Sequence, residues 1–237
     1  MRVATYNIHH GAGEDDVFDL DRLTAAITRF APDLIGLQEV DRHFGDRSGN
    51  LDTLSLVTEA LGLHAAYGPA LVLEEGSGTA VYGNAVLSRW PVVGSDVVQL
   101  PGREGLETRS LLVSTVDTGG STGQITFACT HFSYEELEAR AAQMSAASAL
   151  LAQCPAPAIL VGDFNTTLGS PELAPLLATF TDCWVAVGEG PGLTCPALRP
   201  EERIDFVLAG AGVVPVSAMV PDTDASDHRP VVVDLLL

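Results

Sequence analysis

Ala158-Ile159-Leu160-Val161-Gly162-Asp163-Phe164-Asn165 is the stretch on which the reading of this chain turns. A short apolar run bounded by Pro157 and Gly162 reads as a buried strand, so Asp163 and Asn165 stand at its carboxyl end. Alone, an Asp-x-Asn turn says little, because both residues favour turns for backbone reasons. Its meaning depends on whether other strands also end on polar groups.

Working outward, they do. Residues 2–8 (RVATYNI) form a β-rich run ending near Asn7, followed by a glycine-bearing loop with His9, His10 and the acidic residues Glu14, Asp15 and Asp16. Residues 33–40 (DLIGLQEV) read as a second buried strand that ends on Gln38-Glu39. Further strand-like segments cover 64–73, 79–88, 92–100, 109–116 and 124–132, the last ending on Thr130-His131-Phe132. Turn residues such as Asp117-Thr118-Gly119-Gly120 separate them, a pattern of antiparallel meanders. After a loop at 187–202, strands at 203–208, 213–219 and 231–237 complete the set, and Asp227-His228 closes the polar turn between the last two.

Helical spacing appears where Leu20, Leu23, Ile27 and Phe30 recur up to Pro32, and again over 51–63. Residues 134–153, Ala-rich with Glu135, Glu136, Glu138 and Arg140, predict a third helix stopped by Pro155. Ser170-Pro171-Glu172 predicts a fourth, with Ser170 as N-cap. No linker or internal repeat divides the chain, so one domain over residues 1–237 is expected, its two β-rich halves packing as two sheets.

Composition narrows the chemistry. The 31 acidic and 12 basic residues give a net charge of −19, and every base is an arginine. Without lysine, a Schiff-base lysine, a P-loop lysine and a lysine general base are excluded. Such acidity repels a long polyanion unless a metal ion mediates the contact. Cys129, Cys154, Cys183 and Cys195 lie far apart, which points to reduced thiols rather than a zinc site or disulfide framework. No apolar run is long enough to span a bilayer and the chain enters a strand at once, so a soluble, cytoplasmic monomer without a stable protein partner is expected.

Each polar strand end has an unremarkable reading alone: a turn former, a solvated carboxylate, a satisfied core histidine. Together, Asn7, Glu39, His131, Asp163, Asn165, Asp227 and His228 make an oxygen-rich set with two imidazoles. Carboxylates and an amide oxygen suit a hard cation such as Mg2+, with Mn2+ as substitute, that retains waters and takes phosphate oxygens.

These residues lie within motifs that resemble the endonuclease/exonuclease/phosphatase superfamily, in its deoxyribonuclease- and sphingomyelinase-like form. The matching pieces are Thr5-Tyr6-Asn7-Ile8, Leu37-Gln38-Glu39-Val40, Gly83-Asn84-Ala85-Val86-Leu87-Ser88-Arg89, Thr130-His131-Phe132, Gly162-Asp163-Phe164-Asn165, Arg203-Ile204-Asp205-Phe206 and Ser226-Asp227-His228. They occur in the family's order over nearly the whole chain. The resemblance implies an α/β fold, a four-layer α-β-β-α sandwich of two mixed, mainly antiparallel sheets flanked by helices, with a metal-dependent phosphoester hydrolase site at one rim. It further implies Glu39 as principal metal ligand, with Asn7 and Asp227 in or beside the metal shell. Asp163 matches the residue that orients or deprotonates the attacking water, and Asn165 the one that steadies the transition-state oxygens. Asp205 matches the partner of His228, His131 and Asn84 fall where the phosphate is contacted, and Arg109 is a looser match to a structural or phosphate-facing arginine.

Departures bear on substrate. His9 and His10 stand where DNA-repair members commonly carry an acidic residue, and the basic DNA-gripping surface is missing. No inserted arginine or lysine loop suggests a polyphosphorylated inositol. Nucleic acid, nucleotide and lipid or inositol headgroup esters all remain open, with the charge favouring a small or single-stranded substrate over a long duplex. A non-catalytic scaffold is disfavoured because Glu39, Asp163 and His228 are all intact. Loops at 42–50, 76–79 and 187–202 are expected to read the substrate.

Overall fold

Strands that are apolar on both sides must be covered on both sides, and this requirement organises the molecule. The structure, a computed structural model, describes residues 1–75, 78–120, 123–155 and 157–237, so part of the expected loop at 76–79 lies outside the described residues. In chain order its first half comprises β1 (Arg2–Asn7), α1 (Leu20–Phe30), β2 (Leu34–Arg42), α2 (Thr53–Leu61), β3 (His64–Glu75), β4 (Gly78–Ser88), β5 (Val92–Gln99) and β6 (Ser110–Asp117). There follow β7 (Gln124–His131), α3 (Leu137–Leu151), β8 (Ala158–Asp163), α4 (Ala174–Leu177), β9 (Thr181–Asp182) and α5 (Cys183–Val187). The strands β10 (Asp205–Ala209), β11 (Val214–Met219) and β12 (Val231–Leu236) complete it.

Two six-stranded mixed sheets result, ordered β11-β12-β1-β2-β4-β3 and β5-β6-β7-β8-β10-β9. Alternation along the strands sorts side chains into three apolar layers. Val3, Leu34, Val86, Phe127, Ile159, Val161 and Val233 meet between the sheets. Ala4, Tyr6, Ile35, Leu37 and Leu87 point outward to Leu23, Ile27 and Phe30 of α1 and to Leu54 and Val57 of α2. On the opposite side, Ala128, Leu160, Phe206 and Leu208 meet Met144, Ala147 and Leu151 of α3. The order is therefore helices, sheet, sheet, helices. Gly36 marks how closely the sheets approach, since a Cβ there would overlap a Val161 methyl and come within 2.9 Å of Cys129 Sγ.

Local chemistry sets the helix ends. Asp19 caps α1 by accepting from Arg22 N at 2.9 Å, and Asp52 caps α2 by accepting from Ser55 N at 3.1 Å. Each of α1 and α3 is a crossover that returns the chain to a parallel neighbour, β1 to β2 and β7 to β8.

Several expectations from sequence are corrected. The two sheets are not the two halves of the chain, because β12 pairs with β1 and carries β11 into the first sheet. Glu39 does not end β2; it sits mid-strand at a bulge between Leu37 and Val40, with φ of 61°. The third helix begins at Leu137, because Gln143 and Arg140 reach back to the Ser133 backbone and hold the preceding residues as an irregular turn. Ser170 caps nothing with its side chain; Pro171–Leu173 form a single 3-10 turn before the one-turn α4. The short β9 and α5 were not anticipated, and Asp182 joins them by capping α5 and pairing with buried Arg203 at 2.8 Å. Among the described residues no helix is long and apolar enough to cross a membrane.

Candidate active site

Strand register brings the polar set together at one rim. On the second sheet, His131 pairs with Asp163 and Asp163 with Asp205, so three functional side chains stand abreast on β7, β8 and β10. Asn7, the last residue of β1, approaches from the first sheet. Its Nδ2 donates to Glu39 Oε1 and to Asp163 Oδ2, both at 3.0 Å, so one buried amide bridges carboxylates from the two sheets. Asn7 Oδ1 accepts from the His9 backbone at 3.1 Å, and its carbonyl accepts from Ser226 Oγ at 2.7 Å. Ser226 also lies 3.2 Å from Asp227 Oδ1, which ties the turn before β12 to the end of β1.

Asp163 is the hub. Its Oδ1 accepts from Asn165 N at 2.9 Å, while Oδ2 lies 3.4 Å from His131 Nε2 and 3.7 Å from His228 Nε2. Asn165, at φ of 49°, turns its side chain to donate to Phe132 O at 2.9 Å and to approach His131 Nε2 at 3.0 Å. Gly162 lets β8 run close to β7 just before this turn, because a Cβ there would collide with the Thr130 carbonyl. Below the site, Phe164 stacks on Phe206 with ring centroids 4.8 Å apart, which anchors the turn in the core.

The imidazoles differ electrostatically. Burial lowers the pKa of His131 well below the ordinary value, and Arg109 and His228 push it the same way, so this ring is neutral. His131 Nε2 lies between Asn165 Nδ2 at 3.0 Å and Asp163 Oδ2 at 3.4 Å, and its Nδ1 is buried without a partner among the described residues. Burial opposes a charge on His228 too, but Asp205, Asp163 and the hydrogen bond to Asp205 outweigh it and hold its pKa well above the ordinary value. The Asp205 Oδ2 to His228 Nδ1 distance is 2.9 Å, and Asp205 is fully buried. For Asp163, burial pushes the carboxyl up to about 7; His228 opposes this, Asp205 reinforces it, and the bonds from Asn7 and Asn165 oppose it.

Arg109 lies at the edge of this network, 3% exposed, its Nη1 2.8 Å from Glu107 Oε1. The approach is poorly aligned for a hydrogen bond, and Nε and Nη1 find no acceptor among the described residues. Asn84 Nδ2 donates to the Ser110 carbonyl at 3.0 Å and ties β4 to β6. The structure therefore joins Asn7, Glu39, His131, Asp163, Asn165, Asp205 and His228 in one cluster, with Asp227 attached through Ser226, and leaves Asn84 in a sheet-to-sheet contact.

The donor set is hard and oxygen-rich, and half-buried Glu39 and Asp227 present carboxylates with few protein partners. These residues fit a hard divalent cation. Asp163, Asp205 and His228 also bring one ligand-type atom each within 4.8 Å of one another. A charged imidazole has no lone pair to offer, however, so this trio fits a buried ion pair better. Sequence reasoning missed Ser226 and His9 as supports of Asn7, although Ser226 precedes Asp227-His228 in the motif itself.

A two-sheet α/β sandwich with this acidic and imidazole cluster at its rim is the architecture of a phosphoester hydrolase family. The sequence model of the endonuclease/exonuclease/phosphatase family matches residues 4–228, and the chain belongs to that family. Among solved structures it is similar to an endonuclease/exonuclease/phosphatase from Beutenbergia cavernae, with 31% identity and a TM-score of 0.84 over 100% of this chain and 71% of that one. A mannosyl-6-phosphatase from Bacteroides thetaiotaomicron matches with 19% identity and a TM-score of 0.82, covering 100% of both chains. The human nocturnin catalytic domain with bound sulfate anion matches with 19% identity and a TM-score of 0.74, over 100% of this chain and 93% of that one. These last two likenesses concern the fold alone. Curated proteins gave no match.

Proposed function

We propose that the chain is a single catalytic domain, a metal-dependent hydrolase that cleaves a phosphoester bond by in-line attack of water. The observation that carries this reading is the buried Asp163 carboxylate, bridged by Asn7 to Glu39 and flanked by His131, His228 and Asn165. Asp163 orients the attacking water and accepts its proton, while Asn7 keeps the two carboxylates at a set spacing despite their like charge. Charged His228, held by Asp205, would offset negative charge on the phosphoryl oxygens, and neutral His131, with Nε2 beside Asp163, lines the same wall of the site. Asn165 holds the His131 ring in position. Arg109, buried and paired with Glu107, stands at the edge of the same network. Mg2+ or Mn2+, held by Glu39 and Asp227 with Asn7 beside the shell, would neutralise the phosphate charge and polarise the ester.

Substrate class follows from charge. A net charge of −19 with no lysine disfavours a long duplex and favours a small or single-stranded phosphoester. Hydrolysis of a phosphomonoester is the second reading, supported by the full-length fold likeness to a mannosyl-6-phosphatase. A metal-supplemented screen of DNA, RNA, nucleotide, sugar phosphate, inositol phosphate and phospholipid substrates tests both. Release of phosphate or of a cleaved diester in the screen supports the proposal, and no turnover of any phosphoester overturns it.

A further inference from the structure

Beside the cluster lies a cation that the proposed reaction does not use. Arg47 donates from Nε to Asp41 Oδ2 at 2.9 Å and from Nη2 to Asp41 Oδ1 at 2.7 Å. Its Cζ sits 4.9 Å from the Phe44 ring centroid and 5.4 Å from that of Tyr82. Asp41 is wholly buried, yet the Arg47 side chain is 40% exposed. A guanidinium has five N–H donors in a planar fork. Asp41 occupies one edge, and the other edge, Nη1 with the outer hydrogen of Nη2, makes no hydrogen bond among the described residues.

A plain anchoring ion pair for the loop at 42–50 is the simpler reading. Three observations exceed it. A buried carboxylate pairing is costly to keep and is often replaceable by apolar residues without loss, so stability alone does not require it. The stack on two aromatic rings locks the guanidinium in place before any ligand arrives. The location matters most: Asp41 stands two residues from Glu39 on β2 and pairs across the sheet with Tyr82, over which Arg47 lies, and the turn at Asp46–Ser48 packs against the strained His9-His10 turn, whose φ values are 43° and 49°. Arg42 pairs in the same way, from Nε and Nη2, with Asp52, the cap of α2, and lies over Tyr67, so it differs from Arg47 in place and not in pairing.

We propose that Arg47 is a specificity residue that binds a second phosphate on the substrate, so that the preferred phosphoester is a small molecule carrying two phosphate groups. The inference rests on the phosphoester-hydrolase reading above. One free fork accommodates one additional oxyanion, which suits a bisphosphate and not a densely phosphorylated ring.

The test measures binding as well as turnover, with full-length protein in saturating Mg2+. Calorimetry compares a hexose 1,6-bisphosphate with its 6-monophosphate, and a nucleoside 3′,5′-bisphosphate with its 5′-monophosphate. Because Arg47→Gln alone would strand Asp41 as a buried charge, the variant is Arg47→Gln with Asp41→Asn; Arg47→Lys is a second variant that retains the charge but loses the fork. Thermal melting checks that both fold. At least one bisphosphate should bind the wild type about tenfold more tightly than its monophosphate, a difference of about 1.4 kcal/mol. That preference should disappear in the double variant and weaken in Arg47→Lys, through KM and not kcat, with monophosphate binding unchanged. Absence of a bisphosphate preference in the wild type, or an equal loss for both ligands in the variants, overturns the inference. If the preference is found but no phosphoester is turned over, the hydrolase reading fails while the anion site stands.

Discussion

Gly36→Ala is the substitution that most directly links the closeness of the sheets to the chemistry at their rim. The added methyl would overlap the Val161 side chain and lie 2.9 Å from Cys129 Sγ, both on the opposing sheet. Relaxed carbon contacts need about 3.5–4.0 Å, so the strands must separate or the Val161 and Cys129 side chains must leave their rotamers. Overpacking of this kind costs about 1–3 kcal/mol. At about 2–4 °C per kcal/mol for a domain of this size, the melting temperature should fall by about 2–12 °C. The functional consequence is separable. Gly36 is three residues before Glu39 on one sheet and Val161 is two before Asp163 on the other, and Asn7 spans those carboxylates with two 3.0 Å bonds. A shift of about 1 Å between the sheets should therefore lower kcat/KM by up to about 10²-fold. Calorimetric melting and turnover of a generic phosphoester are measured for Gly36→Ala, Val161→Ala and the pair. The double variant should be less destabilised than the sum of the singles, because truncating Val161 makes room for the new methyl. Wild-type melting and turnover in Gly36→Ala would refute the close face-to-face packing.

Removing divalent cations with EDTA should abolish hydrolysis, and adding back Mg2+ or Mn2+ should restore it; full activity in chelator would sink the metal-dependent reading. Asp182→Ala should lower stability by about 3–5 kcal/mol, since it strands buried Arg203 and removes the α5 cap, and chemical denaturation reads this directly. Turnover measured well below the new melting temperature should change little, because Asp182 makes no contact with the Asp163 cluster among its observed bonds. Burial pushes the Cys129 and Cys183 thiols up to about 12, so at pH 8 alkylation of the native protein should spare both. Mass spectrometry after brief iodoacetamide treatment checks this, and early labelling of Cys129 would contradict the packed interface between the sheets.

Much of the site was legible because its residues close apolar strands. Asn7, His131 and Asp163 each interrupt a run whose other members are buried, and a polar residue at such a point stands out in the sequence. Glu39 was recognised but misplaced: the bulge after Leu37 adds one residue to β2, and Glu carries no glycine-like signal of a positive φ. Asn84 matched a motif, yet its amide is committed to Ser110, because β4 and β6 pass close enough there for a sheet-to-sheet bond. The partition of strands between sheets was hidden, since pairing β1 with β12 joins residues more than two hundred apart and leaves no local periodicity. The one-turn α4 and α5 and the two-residue β9 are too short to show a period. Arg47 and Asp41 look like scattered loop charges; only the folded loop brings the fork, the buried carboxylate and two aromatic rings together.

The central claim is that Asp163 serves the attacking water. Purified Asp163→Asn preserves shape and the Asn165 turn but removes the proton acceptor at the hub of the cluster. Turnover of a generic phosphoester in saturating Mg2+ should fall by about 10²–10⁴-fold, with the fold intact by circular dichroism. Wild-type turnover by this variant would contradict the account.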